Sequence, residues 1–399
     1  MNKRKRILIL TDKDFFFGEP NGSTHAIGSL VRHLRKNNHV DLYITRKAYC
    51  KKYCGCNVYG NSESSIVANI YRIFLIFLRK YFQGLINFYR YITRLKKTEK
   101  DSNVGMTIED FYDGYTVRCL SKFLLSHHYD VIIFEYLRLS YLLKVFSNSN
   151  AVKIVDTHDL LHVRSERYKK NNYVYGLRIS KYDEFKLLNH YDYILAIQKK
   201  EYQILKNEFK SKVLYCPRPS DAIEVVIKPK QKKNIVFIAS SADFNIDAIS
   251  WFIDNVWNDN LANKFTLSIY GSICSSLPDF SLKSIKVYGK IQDITEAYIN
   301  ADICMNPVRF GSGLKIKNVE ALSFGIPIIT TSIGAEGLEG AIGNGLFICD
   351  SPDQFIETLY QLDNYTSILE LSQKAKNYIA LNFNENICFK ELNNLLESL

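Results

Sequence analysis

Short runs of apolar residues alternate with amphipathic stretches along most of the chain. A continuous apolar run between helical patterns is typical of a parallel strand, because helices cover both faces of such a sheet. The runs predict twelve strands, at 6–11, 40–45, 130–135, 151–156, 192–197, 212–216, 234–240, 265–270, 284–288, 302–306, 326–330 and 346–349. The pattern therefore predicts an α/β protein with doubly wound parallel sheets.

A stretch that suits a linker separates the first six strands from the last six. Residues 217–233 hold three of the eight prolines of the chain and end in a Lys-rich run. We therefore expect an N-terminal Rossmann-like domain over 1–216, a C-terminal one over 234–383 and a closing helix over 384–399. Ligands of open parallel sheets bind outside the carboxyl ends of the strands, so the cleft between the domains is the expected site.

The composition is that of a folded protein with a local basic region. Of 399 residues, 47% are hydrophobic and 23% are charged, which excludes a disordered chain. The first 100 residues hold 20 Lys and Arg against 6 Asp and Glu, whereas the remainder holds 32 against 35. This imbalance indicates a local anionic partner, and no zinc finger, RNP-type motif or basic helix points to nucleic acid.

The cysteines and the chain start indicate a reducing, cytoplasmic location. The nine cysteines are an odd number in a chain far larger than a disulfide-stapled module. Cys50, Cys54 and Cys56 cluster but lack a fourth ligand at zinc-like spacing. The apolar run near the N-terminus is too short for a signal peptide, and no apolar window is long enough to cross a membrane.

Residues 66–97 are predicted to form a long amphipathic helix that rests on an anionic membrane surface. No acidic residue occurs from Ser64 to Thr98, while seven basic residues do. On a helical wheel, six of the seven share one narrow sector opposite a broad aromatic and aliphatic face. Such a helix suits the membrane interface. A core helix of the N-terminal domain and a dimer contact are the alternatives.

The segment 301–338 carries the most informative pattern. A strand ends at Asn306, the loop Gly311-Ser312-Gly313 follows, and a helix is predicted from Leu314 to Phe324. Glycines before a helix let the backbone approach a ligand, and the free N–H groups of the first turn then face an anion. With Lys315 and Lys317 nearby, this is a plausible diphosphate cradle, and Glu320 could accept hydrogen bonds from a ribose. An ordinary crossover with a surface Glu explains the pattern equally well.

This segment resembles the donor-binding region of the GT-B glycosyltransferases, in the retaining group often called glycosyl transferases group 1. The matching positions are Ala301-Asp302, Pro307, Lys317, Glu320-Ala321, Gly325, Pro327, Thr330 and 334–338. Residues 234–257 and 288–302 resemble the preceding parts of that domain. The resemblance implies two Rossmann-like domains that face each other across a cleft, with the nucleotide-sugar held by the second.

The resemblance implies a donor site with two departures from the family pattern. Its residues are Gly311, Ser312, Gly313, Leu314, Lys315, Lys317, Glu320 and Asn245. Many members carry Glu eight residues before Glu320, where this chain has Ser312, and many carry Arg or Lys in the first loop of the domain, where this chain has Asn245. The match therefore supports nucleotide binding better than it supports any particular sugar.

On the N-terminal side, the resemblance points to residues that follow predicted strands. The turn at Gly22, Ser23 and His25 corresponds to one that approaches the donor phosphates and the acceptor in relatives; the alternative is a plain turn with Ser23 as helix cap. Asp156-Thr157-His158-Asp159 resembles a similar cleft-facing stretch, in which His158 would act on the donor sugar or on developing charge. Asp156 or Asp159 could instead cap a helix.

Two further observations complete the N-terminal side. Glu135, at the end of the strand 130–135, is a weaker candidate of the same kind. Asp12-Lys13-Asp14 has the form of a metal-binding pair that belongs to a different glycosyltransferase fold, and no convincing set of metal ligands is found.

Together these observations predict a glycosyltransferase of the hexosyltransferase type, with a glycan or lipid-linked acceptor. Retention of configuration is implied by the resemblance alone. We expect no metal and no cofactor beyond the nucleotide-sugar substrate, and a peripheral position on the inner face of the cell membrane. The alternatives are a non-hydrolysing sugar-nucleotide epimerase and a catalytically silent GT-B subunit that binds a nucleotide-sugar.

Overall fold

The computed structural model describes residues 4–12, 22–46, 51–61, 108, 111–173, 177–225, 230–277 and 284–399. The predicted membrane helix 66–97 lies outside the described residues, and so do Cys50 and Asp14. Over the described ranges, the chain folds into two sheets of eight and six strands. No helix within these ranges is both long enough and apolar enough to span a membrane.

The first sheet has the strand order β3-β4-β2-β1-β5-β6-β7-β8. Its strands are β1 (Arg6–Thr11), β2 (His39–Ile44), β3 (Lys52–Tyr53), β4 (Cys56–Gly60), β5 (Val131–Glu135), β6 (Val152–Asp156), β7 (Tyr193–Ala196) and β8 (Val213–Tyr215). All neighbours are parallel except β3 and β4, which form an antiparallel hairpin. In register, Glu135 pairs with Asp156, so their side chains lie at the same carboxyl edge.

The second sheet is parallel throughout, with the order β11-β10-β9-β12-β13-β14. Its strands are β9 (Lys233–Ile238), β10 (Phe265–Tyr270), β11 (Ile285–Gly289), β12 (Ile303–Asn306), β13 (Ile328–Thr330) and β14 (Leu346–Ile348). The strand order reverses between β9 and β12, and an open parallel sheet binds its ligand at such a switch point. The loop after β12 lies there.

Helices connect the strands in both domains. Those of the first are α1 (Gly22–Arg35), α2 (Gly114–Leu124), α3 (Leu161–Lys170), α4 (Lys181–Leu188) and α5 (Lys199–Phe209), with a 3₁₀ segment at Leu137–Phe146. Those that follow are α6 (Asp243–Asn255), α7 (Asp259–Lys264), α8 (Thr295–Ile299), α9 (Ile316–Ser323), α10 (Pro352–Gln361), α11 (Tyr365–Asn382), α12 (Glu385–Cys388) and α13 (Lys390–Ser398).

The central strands of both sheets are buried on both faces, as continuous apolar strands require, whereas the edge strand β11 is largely exposed. Along β1, Ile7 and Ile9 enter one core cluster while Leu8 and Leu10 enter another. In the second sheet, Phe237 and Val236 of β9 likewise enter separate clusters. Two core layers per sheet follow directly from the absence of polar alternation in these strands.

The C-terminal end of the chain returns to the first domain. Helix α11 packs on the second domain through Ala375 and Ile379. Helix α13 then buries Leu392 and Leu396 in the same cluster as Ile27 of α1. The two domains are therefore joined by a second crossing of the chain as well as by the segment before β9.

The predicted parallel α/β architecture is confirmed, with all twelve strands found and their ends within two residues of the expected positions. Two features differ. The hairpin β3–β4 was not predicted; its turn places Cys54 and Gly55 at positive φ of 47° and 76°. The single closing helix 384–399 is in fact two helices, α12 and α13, with Phe389 between them and buried in the core.

The hairpin also explains the described members of the cysteine cluster. Cys56 Sγ donates to the carbonyl oxygen of Tyr53 at 2.7 Å. Burial raises the pKa of the Cys56 thiol to about 12, which keeps it protonated. Cys54 and Cys56 join no group of metal-ligating side chains in the part of the chain that the structure describes.

Candidate donor site between the two domains

The loop after β12 turns at two glycines. Gly311 and Gly313 have φ values of 119° and 74°, which favour a residue without Cβ. A Cβ on Gly313 would lie 3.0 Å from the carbonyl oxygen of His158 in the other domain. The predicted cradle is thus also the point at which the backbones of the two domains approach each other.

Lys315 braces this loop from within. Helix α9 begins at Ile316, two residues later than predicted, with Lys315 in the cap position. Lys315 Nζ donates to the carbonyl oxygens of Ser312 at 3.1 Å and Gly313 at 2.8 Å. Burial lowers the pKa of Lys315 to about 8. Leu314 beside it packs into the core of the second domain, so only its backbone is available to a ligand.

Three predicted donor-site residues of the second domain lie close together. They are Lys317 and Glu320 on α9 and Asn245 on α6. Lys317 Nζ donates to Asn245 Oδ1 at 2.8 Å, and the Asn245 amide donates to the carbonyl oxygen of Ser240 at 3.0 Å. Glu320 Oε2 accepts from the Tyr298 hydroxyl at 2.8 Å. Burial lowers the pKa of Lys317 to about 7 and raises the pKa of Glu320. The structure therefore brings these three predicted donor-site residues into one region.

His158 and Glu135 lie at the carboxyl edge of the first sheet and contact each other. His158 Nε2 is 2.6 Å from Glu135 Oε2. The backbone of His158 has a φ of 59°, a conformation that a non-glycine residue adopts only where its surroundings enforce it. Asp156 forms a buried ion pair with Arg218, which follows β8. Asp156 is thereby neutralised by a partner that sequence reasoning did not identify.

Asp159 reaches across to the position where this chain departs from the family pattern. The Ser312 hydroxyl donates to Asp159 Oδ2, and Arg164 lies 2.6 Å from the same oxygen. Arg164 Nε also donates to Ser312 Oγ at 3.0 Å. Asp159 and Ser312 are both buried. Asp159 therefore links the domains, and neither it nor Asp156 is the N-cap of α3, which falls at Leu160.

Two more side chains of the first domain bind the same loop. Arg167 donates to the carbonyl oxygen of Gly311 at 2.7 Å and forms a bidentate pair with Glu336, with both distances 2.7 Å. The N–H of Gly313 donates to Glu201 Oε1 at 3.1 Å. Burial raises the pKa of Glu201 to about 8. Sequence reasoning missed these residues, because no motif spacing relates helices α3 and α5 to a loop of the other domain.

Gly22, Ser23 and His25 lie in the first turn of α1, which follows β1. The helix begins at Gly22, which places Ser23 in its first turn. Asp12, at the end of β1, forms two bonds of 2.6 Å with Arg138, so its described contact is a salt bridge.

Among the described residues, one group of side chains has the composition of a metal site. Ligand atoms of Glu135, Asp156 and His158 lie within 4.8 Å of one another, and all three residues are buried. The Arg218 guanidinium already supplies a positive charge to this group and is 2% exposed. The guanidinium of Arg218 therefore already neutralises part of the negative charge of this cluster.

Comparison with known proteins identifies the second domain. Residues 232–364 match the family model described as glycosyl transferases group 1. This part of the chain is a glycosyl transferases group 1 domain. The match covers the whole loop after β12 together with Lys317 and Glu320.

The comparisons also extend beyond the group 1 domain. Sucrose-phosphate synthase from Thermosynechococcus elongatus has a TM-score of 0.71 at 12% identity, and the alignment covers 99% of each chain. Anabaena HepE in complex with UDP and glucose has a TM-score of 0.67 at 12% identity, covering 99% of this chain and 100% of that one. An uncharacterised 44.6 kDa protein in the cps region of Klebsiella pneumoniae is 22% identical over 304 residues, which are 68% of this chain and 76% of that one.

The group 1 domain and the GT-B architecture confirm three of the expectations from sequence. These are the family resemblance, the two-domain GT-B fold and the class of enzyme, a glycosyltransferase. The roles of the individual site residues stay predictions, as do the acceptor, the stereochemistry and independence of metal.

Proposed function

We propose that this group 1 glycosyltransferase moves a sugar from a nucleotide-sugar donor to a glycan or lipid-linked acceptor, with retention of configuration and without a metal or another cofactor. The observation that carries the proposal is the contact of the loop 311–313 with the segment 156–159. A diphosphate bound at the loop would place its sugar beside His158. That Anabaena HepE was solved with UDP and glucose supports a uridine diphosphate sugar as a first donor to test.

The donor half of the proposed mechanism rests on the second domain. Backbone N–H groups of the first turn of α9 and the ammonium of Lys317 would bind the diphosphate, and Glu320 would accept hydrogen bonds from the ribose. Negative charge grows on the leaving diphosphate as the glycosidic bond breaks, so fixed positive groups stabilise the transition state more than the ground state. Lys317 is well suited, because burial has left its ammonium poorly solvated.

The sugar half rests on the first domain. An oxocarbenium-like transition state carries positive charge on the ring. His158 is held at the cleft edge by Glu135, and its ring keeps 8% exposure. We propose that His158 contacts the donor sugar, while the turn at Gly22, Ser23 and His25 borders the acceptor. Independence of metal is supported by Arg218, which supplies positive charge where Glu135, Asp156 and His158 would otherwise attract a cation.

The acceptor side of the proposal includes a peripheral membrane contact through 66–97 at the inner face of the cell membrane. The support is the sequence pattern, in which basic residues line one face and aromatic residues the other. The Klebsiella relative in a cps region supports a role in polysaccharide biosynthesis. Co-sedimentation with anionic and neutral vesicles tests the contact. Equal binding to both, or none to anionic vesicles at low salt, would remove it.

The function is tested by a thermal-shift panel of nucleotide-sugars followed by a nucleotide-release and transfer assay. A specific donor at about 100 times its dissociation constant adds about 2.7 kcal/mol to the free energy of unfolding. Glu320→Ala is expected to weaken the binding of the free nucleoside diphosphate as well as that of the donor. Glu357→Ala is the matched control, because Glu357 is an exposed glutamate of the same domain. Donor binding without release or transfer would indicate a silent subunit, and unchanged diphosphate affinity of the Glu320 variant would remove the ribose assignment.

A further inference from the structure

The ring of His158 is held by contacts on its edge and on its face. On the edge, Nε2 is 2.6 Å from Glu135 Oε2. On the face, the Tyr136 ring stacks at 4.0 Å between centroids with an interplanar angle of 16°. Arg138 Cζ lies 3.9 Å from the Tyr136 centroid. The His158 ring and the Arg138 guanidinium cannot both lie on the same face of the Tyr136 ring at such short distances. Tyr136 therefore lies between His158 and Arg138.

This stack is anchored to the sheet at both ends. Arg138 is fixed by its two bonds to Asp12, which follows β1. The N–H of Tyr136 donates to the carbonyl oxygen of Asp156 at 2.9 Å, which ties the turn after β5 to the end of β6. The stack therefore spans the carboxyl ends of three neighbouring strands, β1, β5 and β6.

Two residues of the stack have costly backbone conformations. Tyr136 has a φ of 79° and His158 a φ of 59°, and neither is glycine. Such conformations are unfavourable and persist only where the surroundings enforce them. Their occurrence in two residues that touch each other shows that the fold maintains this arrangement against a local preference.

Glu135 is the buried carboxylate that is hydrogen-bonded to His158. Glu135 and Asp156 are both 0% exposed. Asp156 is paired with Arg218. Among the described residues, Glu135 Oε1 has no hydrogen-bond partner, and Oε2 is bonded to His158, while the Arg218 guanidinium attracts Glu135 electrostatically. A buried carboxylate with a single hydrogen-bond partner constrains that partner strongly.

We propose that Glu135 is a positioning residue that fixes the tautomer and orientation of His158, with Tyr136 and Arg138 holding the plane of the ring. Nε2–H of His158 donates to Glu135, so Nδ1 carries the lone pair and is the nitrogen directed to substrate. No described group bonds to Nδ1. The identity of the substrate that contacts Nδ1 rests on the proposed function. The tautomer of the His158 ring does not, because it can be measured without turnover.

The test combines histidine nitrogen NMR with kinetics. In the ¹⁵N-histidine-labelled protein, assigned by difference from His158→Gln, Nε2 of His158 is expected to be of the protonated type and Nδ1 of the unprotonated type. Glu135→Gln is expected to abolish this preference. It should also lower kcat at least about tenfold, as expected when a histidine loses the carboxylate that fixes its tautomer, while the dissociation constant of the nucleoside diphosphate stays within about twofold. Tyr136→Ala should also lower kcat, since it removes the ring that stacks on His158.

The structure offers a matched control in a second buried pair. Glu184 Oε2 lies 2.6 Å from His162 Nδ1, both residues are buried, and Glu184 also accepts from the backbone N–H groups of Leu161 and His162. Glu184→Gln is expected to shift the His162 signals and leave those of His158 unchanged. The proposal is overturned if the Glu135 variant keeps the native His158 signals or the native kcat. If no donor supports turnover, the NMR result still decides the inference, so its failure is distinct from failure of the proposed function.

Discussion

Ser312 is the residue at which this chain departs from the Glu of many relatives, and the structure gives it a partner in the other domain. Its hydroxyl donates to Asp159, with Arg164 on the same carboxylate. A glutamate at 312 would bring a second buried carboxylate against Asp159, with one guanidinium to neutralise both. Like charges at such a distance, removed from water, destabilise the folded state strongly.

Ser312→Glu is therefore expected to lower the free energy of unfolding by about 3 kcal/mol, measured by chemical denaturation. Combining it with Asp159→Ser moves the carboxylate to the other side of the pair and should recover most of the loss, with a coupling energy above about 1 kcal/mol. Ser275→Glu, at an exposed position of the same domain, is the control and should change stability little. Strictly additive effects of the two substitutions would show that Asp159 and Ser312 do not interact.

Sequence reasoning found the departure at Ser312 but not its partner. The two residues are 153 positions apart, and neither periodicity nor motif spacing relates such positions. The same holds for Arg167 and Glu201, which lie on helices whose cleft side only the tertiary structure defines. By contrast, His158 and Glu135 were predictable, because residues directly after neighbouring parallel strands meet at one edge of the sheet.

At the scale of elements, twelve of the fourteen strands were predictable because they are apolar runs, and most of them are buried on both faces; the edge strand β11 is largely exposed. The hairpin β3–β4 was missed because its strands are short and polar. Its turn contains Cys54 and Gly55, and the cysteines in this stretch were interpreted as a cluster and not as a hairpin. Helix α9 begins at Ile316 and not at Leu314, because the Leu314 side chain is drawn into the core and Lys315 folds back onto the loop. Local sequence propensity therefore predicts the type of each element, whereas tertiary packing determines where the element begins and ends.

The first turn of α9 provides a prediction that depends on pH. Burial lowers the pKa of Lys317 to about 7, below its ordinary value of 10.5, so a large fraction of this side chain is neutral at pH 8. An arriving diphosphate favours the charged form and raises the pKa, so binding should take up protons between about pH 7 and 10. The phosphate itself is already ionised at pH 8, since its second pKa is about 6.

Calorimetry of nucleoside diphosphate binding in buffers of different ionisation enthalpy measures this uptake. We expect uptake of up to about one proton at pH 8 and much less at pH 6, where Lys317 is already charged. Lys317→Met should reduce the uptake, and Lys374→Met, at an exposed position, should not. Binding enthalpies that are independent of the buffer at pH 8 would contradict the proposed contact between Lys317 and the diphosphate.

At the scale of the whole molecule, several contacts between the domains meet at the loop 311–313. Asp159, Arg167 and Glu201 reach Ser312, Gly311 and Gly313 respectively. Beside them, Tyr173 of the first domain stacks on Phe310 at 4.7 Å between ring centroids. The loop that is proposed to bind the diphosphate thus also fixes the relative position of the domains. Donor binding and domain arrangement should therefore be coupled, as in enzymes that close over their substrate.

The bidentate pair of Arg167 and Glu336 tests this coupling. Arg167→Ala removes a charged pair and a bond to the carbonyl oxygen of Gly311, so we expect a loss of about 1–3 kcal/mol in the free energy of unfolding. The radius of gyration in X-ray scattering should rise, and kcat/KM for transfer should fall at least about tenfold. The nucleoside diphosphate should bind at least about threefold more weakly, because a loop that both binds the diphosphate and positions the domains couples the two.

A second ion pair between the domains supplies the control for this experiment. Lys200 Nζ lies 3.4 Å from Glu339 Oε1, with side-chain exposures of 54% and 43%. Exposed pairs contribute about 0–1 kcal/mol, because water screens them. Lys200→Ala should therefore leave scattering, stability and turnover close to native, although it also removes a positive charge that faces the other domain. If Arg167→Ala behaves like Lys200→Ala, the domains are held by the apolar contacts around Phe310 and by the chain crossings, and the loop does not couple donor binding to closure.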